Sequence, residues 1–157
     1  MRRYIAVLED NDDRIAAMER CLADKFPFFE RKFFRTASDT IDWLGENMGV
    51  VICLCLDHDL EPPADRPTCE PGTGRDVAEF LAGVEPCFPV VLQTTNAFAG
   101  IAMEAMLGEQ GWRVERVMPY EDLVWVAEAW LPTVRQVIVD AAEIRRELLE
   151  SPARREV

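Results

Sequence analysis

The chain is short of basic residues, of histidine and of long apolar runs, and each shortage narrows what it can do. Lys and Arg number 17 against 29 Asp and Glu, for a formal net charge of -12. A surface this acidic repels phosphodiester backbones and anionic lipid, so a nucleic-acid polymer or a membrane is a poor partner. A locally basic site or a small phosphorylated ligand stays compatible with that average. No apolar stretch reaches transmembrane length, and no secretory h-region follows Met1-Arg2-Arg3. The five cysteines, Cys21, Cys53, Cys55, Cys69 and Cys87, are odd in number and include no Cys-x-x-Cys pair. That pattern predicts reduced thiols in a cytoplasmic protein rather than a disulfide framework or a zinc site. No internal repeat is visible.

What is present is a sequence of one-domain size, 157 residues and 49% hydrophobic, enough for a real core. Short apolar runs alternate with helical patterns. Tyr4 to Leu8 predicts a buried strand closed by Glu9-Asp10-Asn11, and Asp12 or Asp13 a cap for a helix with Ile15, Met18 and Leu22 on one face. Lys32 to Ala37 predicts a second strand, and Ser38 caps the next helix. Val50 to Leu56 is continuously apolar, as a central parallel strand covered on both faces must be. A loop rich in proline, glycine and charge runs from Glu61 to Gly74. A helix then starts at Arg75, a strand follows at Val90 to Leu92, a helix at Ala97 to Leu107, and a fifth strand at Val114 to Met118. Asp122 to Trp130 predicts a fifth helix stopped by Pro132, and Thr133 to Leu149 a further amphipathic helix. Trp125 and Trp130 read as core; Trp43 and Trp112 read as partly exposed.

Five strands alternating with helices imply right-handed crossovers and a doubly wound α/β sheet. Ligands of such sheets sit beyond the carboxyl ends of the strands. The polar residues gather there: Glu9 and Asp10 after the first strand, Asp57, His58 and Asp59 after the third, Thr94, Thr95 and Asn96 after the fourth. Several carboxylates at one edge repel and raise one another's pKa unless a hard cation relieves them, and Mg2+ takes a few carboxylates plus waters. Asp12 and Asp13 read instead as solvated acids of a helix start. His58, the only histidine, is a candidate general acid or base, although strand alternation points it away from Asp57 and Asp59. Thr73-Gly74-Arg75-Asp76 matches a capping box. Gly72 and Gly74 also leave backbone amides for a phosphate, with Arg75 as an anion contact or a solvated arginine.

These residues resemble the CheY-like receiver domain of response regulators. Val7-Leu8-Glu9-Asp10-Asn11 is similar to its first acidic motif, Leu54-Cys55-Leu56-Asp57 to its phosphoacceptor strand, and Pro89-Val90-Val91-Leu92-Gln93-Thr94 to its fourth strand. Met118-Pro119-Tyr120 stands where receivers carry Lys-Pro-Phe. Asp57-His58-Asp59-Leu60, Gly72-x-Gly74 and Asn96 are more similar to the cyclic-phosphate-processing receiver group. The role proposed for that group is the handling or hydrolysis of cyclic phosphates in nucleotide or RNA-end metabolism.

The resemblance implies a flavodoxin/CheY-like parallel sheet in the order 2-1-3-4-5 over residues 3–131. It leaves 132–150 as an additional C-terminal helix, packed on the domain or at a homodimer interface, and 151–157 as a tail. It implies Glu9, Asp10, Asp57 and Asp59 as ligands of Mg2+ or Mn2+. Asp59 falls where receivers present a backbone carbonyl to the metal. Asp57 and Thr94 are the implied catalytic positions, joined by His58 on its own chemistry, and Thr94 and Asn96 the phosphate contacts, joined by Gly74 and Arg75 on the helix-start reading.

Two positions depart from the pattern. Met118 replaces the receiver lysine, and Gln93 stands where the cyclic-phosphate group tends to place a histidine. Three functions stay open: a metal-dependent phosphoesterase acting on a phosphate ester or cyclic phosphate, a stand-alone response regulator phosphorylated on Asp57 by a partner kinase, and a pseudo-receiver that binds a partner protein without chemistry.

Overall fold

The computed structural model describes residues 1–151, so all of the expected tail except Ser151 lies outside the described residues. Five parallel strands form one sheet: β1 (Tyr4–Leu8), β2 (Glu30–Phe34), β3 (Val51–Leu56), β4 (Val90–Gln93) and β5 (Val114–Val117), in the order β2-β1-β3-β4-β5. The order in which successive strands are added to the sheet reverses between β1 and β3, and the carboxyl ends of those two parallel strands frame the switch point.

Alternation along the central strands feeds two cores. Ala6, Leu8, Leu54, Leu56, Val90 and Leu92 face α2 (Ala37–Asn47), α3 (Gly74–Ala82) and α4 (Ala97–Glu109), meeting Leu44, Val77, Leu81, Met103 and Leu107. Ile5, Val7, Cys53, Cys55 and Val91 face the opposite layer, meeting Met18 and Leu22 of α1 (Asp12–Lys25) and Trp125, Trp130, Val134 and Val137 near the C-terminus. Both faces of β1, β3 and β4 are dry, which explains their uninterrupted apolar runs. Cys53 and Cys55 are buried free thiols.

Several expected boundaries move, each for a local reason. β2 begins at Glu30 and ends at Phe34, not Lys32 to Ala37. It is the sheet edge, where Glu30 and Lys32 stay exposed, so charge does not mark its start. Asn11, not Asp12 or Asp13, caps α1 by accepting from Arg14 N at 2.9 Å. Thr36, not Ser38, caps α2. Trp112 is buried, its Nε1 donating to the Leu81 carbonyl at 3.1 Å.

The largest difference follows β5. Pro132 does not stop a helix. Residues Val126–Trp130 are π-helical and run directly into α5 (Leu131–Glu150). A proline cannot donate to the carbonyl four residues back and its ring crowds that carbonyl. The widened turn, with Leu131 N bonded to Val126 O, accommodates the ring while the helix continues. The additional C-terminal helix is therefore a direct extension of the helix after β5. Ile144, Leu148 and Leu149 at its far end are exposed. Among the described residues, no helix is long and apolar enough to cross a membrane.

Candidate functional site

Three acids converge at the carboxyl ends of β1 and β3. Glu9, Asp10 and Asp57 each offer an oxygen, and these oxygens all lie within 4.8 Å of one another. Their placement follows from the register: Leu8 pairs with Leu56, so the next residues on both strands emerge side by side. Asp57 N donates to the Leu8 carbonyl at 3.0 Å, fixing that juxtaposition.

The acids differ in setting. Glu9 is fully buried; its Oε1 accepts from Asn11 N at 3.3 Å, and its Oε2 has no partner. Burial, and then the nearby Asp57 charge, push its carboxyl far above the usual range. Asp57 is also buried and its pKa is raised, chiefly by desolvation. The His58 amide, donating to Asp57 Oδ1 at 2.7 Å, opposes the rise. Asp10 is half-buried and accepts from Glu61 N at 2.8 Å. A shallow open cleft of about 480 Å³, lined by Asp10, Asn11, Asp12, Asp13 and Glu61, lies over this corner. Asp12 and Asp13 are exposed on the first turn of α1, as solvated acids there should be. Two apolar clefts of about 390 and 400 Å³ lie at the opposite end of the sheet beside α5, and none of the three acids lines them.

Buried carboxylates in mutual repulsion, one with an unpartnered oxygen, form a hard-donor set that fits Mg2+ or Mn2+. Among the described residues, Glu9, Asp10 and Asp57 could hold such an ion.

The long loop after β3 is pinned rather than loose. Asp59 and Thr73 form an antiparallel bridge, Gly74 N donates to the His58 carbonyl at 3.0 Å, and Arg66 reaches Asp39 at 2.8 Å. Thr73 and Asp76 make the expected capping box, with Thr73 N donating to Asp76 Oδ2 at 2.9 Å. Gly72 adopts φ +67, a backbone state that favours glycine.

Not every expected site residue arrives at the acids. The Asp59 carboxylate is not in the group: the chain leaves the strand after Leu56, and its side chain, 69% exposed, turns to Asn96 Nδ2 at 3.4 Å and His58 Nε2 at 3.9 Å. The end of the strand also means that alternation does not point His58 away from Asp59. The imidazole is not in the acidic group either; its Nδ1 is buried without a partner. Arg75 pairs with Glu79 along α3 at 3.3 Å. Thr94 is buried at the end of β4, its Oγ1 accepting from Asn96 N at 3.0 Å, and Asn96 caps α4 through Ala99 N. Together with Met118 and Arg116 these two line a recess of about 20 Å³. Met118 is 53% exposed and brings no charge.

Two features of the site were not anticipated. Gln93 is fully buried and joins three elements: its Nε2 donates to the Leu8 carbonyl at 3.4 Å, and its Oε1 accepts from Trp130 Nε1 at 2.9 Å. An amide that does not titrate therefore occupies the place of a histidine. Arg14 lies beside the acids, Nη1 at 3.8 Å from Glu9 Oε1, with its guanidinium 5.3 Å from the ring centre of Trp125. One signal for it was legible. A cation in the first turn of a helix opposes the macrodipole and needs another reason to be there.

Comparisons with known proteins agree with this architecture. The profile of the cyclic-phosphate processing receiver domain matches residues 6–109. Among solved structures, a signal receiver domain from Vibrio parahaemolyticus superposes with a TM-score of 0.67 at 15% identity, covering 96% of this chain and 99% of that one. A CheY-like response regulator receiver domain protein from Methanospirillum hungatei JF-1 gives 0.60 at 12% identity, covering 91% and 98%. The phosphorylated cyanobacterial phytochrome response regulator RcpA gives 0.56 at 16% identity, covering 96% of each chain. Identities this low speak for the fold alone. No curated protein matches significantly.

Proposed function

This chain belongs to the cyclic-phosphate processing receiver domain family, and from that premise we propose that its acidic pocket binds a divalent cation, Mg2+ or Mn2+, and with it binds and hydrolyses a small phosphate ester or cyclic phosphate. The observation that carries this reading is Glu9 Oε2, an unpartnered carboxylate oxygen in a fully buried residue within the group formed with Asp10 and Asp57. An ionised carboxylate left so is costly to bury, and a cation removes the cost.

Glu9, Asp10 and Asp57 would hold the ion, which supplies positive charge to polarise a phosphoryl oxygen. Asp57 keeps Oδ1 on the His58 amide, and this orients its carboxylate. With the ion bound, Asp57 would stand as a carboxylate beside it, placed to orient an attacking water. Thr94 retains a hydroxyl proton to donate while its oxygen accepts from Asn96 N, so it can contact an equatorial oxygen of the ligand. Arg75, paired with Glu79, has a smaller claim on the ligand, and His58 lies outside the acidic group.

A durable aspartyl phosphate of the signalling kind has less support, because Met118 offers no donor to the added charge. A purely protein-binding pseudo-receiver leaves the retained acids without a purpose. The free cysteines support a reducing, cytoplasmic setting.

The test is a hydrolysis screen with Mg2+ and with Mn2+ across cyclic nucleotides and phosphate esters, with Asp57→Asn alongside. Metal-dependent turnover lost in Asp57→Asn supports the reading. No turnover with any substrate, together with no metal binding, overturns it.

A further inference from the structure

We infer that Arg14 is the residue of this pocket that grips the anionic ligand, reaching the phosphoryl oxygens from α1 with its guanidinium laid on the ring of Trp125. It supplies the positive charge that Met118 does not supply at the end of β5. The inference rests on the reading that the pocket takes a phosphorylated ligand.

The geometry argues for it in steps. Arg14 stands in the first turn of α1, its amide donating to the Asn11 side chain at 2.9 Å. Helical side chains lean toward the N-terminus, so from this position Arg14 extends toward the strand ends where the acids sit. Its guanidinium is held on two sides. Trp125 lies 5.3 Å from Cζ, and that ring is fully buried and fixed by its own Nε1, which donates to the Asp122 carbonyl at 3.0 Å. Glu9 Oε1 lies 3.8 Å from Nη1, near enough for attraction but beyond hydrogen-bond distance. The fork's donors are therefore not taken up by Glu9.

A guanidinium set on an aromatic face is pre-oriented, and its planar fork matches two phosphoryl oxygens. Its charge acts on both Glu9 and Asp57, so it stands within electrostatic reach of the whole pocket.

The neighbouring arginines are engaged elsewhere. Arg116 pairs with Glu104 at 2.7 Å, Arg75 with Glu79 at 3.3 Å, and Arg35 with Asp12 and the Asp10 carbonyl. The simpler role for Arg14 is a structural counter-ion for buried Glu9. The two roles predict opposite responses to metal. A counter-ion stabilises the acids, so its loss weakens everything there. An anion-gripping arginine repels the cation and attracts the ligand, so its loss weakens the ligand alone.

The experiment titrates Mg2+ alone and then inorganic phosphate at saturating Mg2+, by calorimetry, on wild type, Arg14→Gln and Arg14→Lys, with melting temperatures recorded for each. The expected result is phosphate affinity at least ten-fold weaker in Arg14→Gln, with Mg2+ affinity equal or tighter, and partial recovery of phosphate binding in Arg14→Lys. Phosphate affinity within two-fold of wild type in Arg14→Gln overturns the role of Arg14 and leaves the pocket's function standing. Loss of Mg2+ and phosphate by the same factor also overturns it, in favour of the counter-ion. Wild-type protein that takes Mg2+ but no phosphate overturns the functional reading and Arg14's role with it. If Arg14→Gln does not fold, Arg14→Lys decides: the fork requires weaker phosphate binding with Mg2+ affinity kept, and unchanged phosphate binding rejects it.

Discussion

Gly74 lies so close to Asp57 that a Cβ built on it would fall 2.0 Å from the Asp57 carbonyl oxygen. The first residue of α3 and the acid at the end of β3 therefore touch backbone to backbone, and the loop between them closes on this contact. Gly74→Ala forces the two segments apart. The expected cost is at least about 2 kcal/mol, in the range of overpacked cores, together with weaker Mg2+ binding as the Asp57 backbone shifts. Gly108→Ala in α4 is the control, because nothing lies within 4 Å of its Cβ. It should be neutral or stabilising by up to about 1 kcal/mol. Urea unfolding of both variants measures the contrast, and equal effects would remove the special role of Gly74.

Divalent ion should raise the melting temperature, because it binds the native arrangement of acids and not the unfolded chain. Asp10→Asn combined with Asp57→Asn should abolish that rise. Thermal unfolding with millimolar Mg2+ or Mn2+, against EDTA, gives the answer. An unshifted wild type would mean that the acids hold no ion.

Without metal, stability should fall with rising pH. Burial and then the Asp57 charge raise Glu9 from 4.5 to about 8. Its folded-state pKa thus exceeds its unfolded value, so the native protein keeps a proton that the unfolded chain releases. That contribution is complete below about pH 4.5 and is lost as pH rises toward 8, at about 1.4 kcal/mol per pH unit for one group. Denaturation in EDTA between pH 5 and 8 should show the slope, and Glu9→Gln should flatten it. A wild-type profile rising with pH would contradict this account.

Gln93→Leu should destabilise the fold by about 1–3 kcal/mol, since the indole N–H of Trp130 loses its acceptor and the Leu8 carbonyl its side-chain donor inside the core. Chemical denaturation measures this. If Gln93→Leu were as stable as wild type, the bridge would carry no weight.

Acetyl phosphate or beryllofluoride with Mg2+ should leave wild-type Asp57 unmodified or only briefly modified, because exposed Met118 adds no charge or donor beside the new phosphoryl group. Intact-mass measurement, with Met118→Lys in parallel, is the check. Durable stoichiometric modification of the wild type would restore the signalling-receiver reading. Modification of Met118→Lys alone would mark a receiver scaffold put to another use.

Much of this was legible in the chain. The apolar runs at Tyr4–Leu8 and Val51–Leu56 mark strands dry on both faces, so Glu9 and Asp57 had to emerge together once those strands paired in parallel. Charged β2 hid its start because an edge strand tolerates Glu30 and Lys32. Pro132 misled because a wider turn can accommodate a proline that an α-turn cannot.

The sequence by itself determined the order of elements, the two-sided burial of the central strands and the gathering of acids at one edge, because each depends on local periodicity and on which residue follows each strand. Only the tertiary structure decided which side chains complete the pocket. Arg14 meets Trp125 across more than a hundred residues, Gln93 ties β1 to the helix after β5, and Asp59 turns away to Asn96. Those outcomes depend on how helices seat on the sheet and where a strand ends. Packing between distant segments sets both.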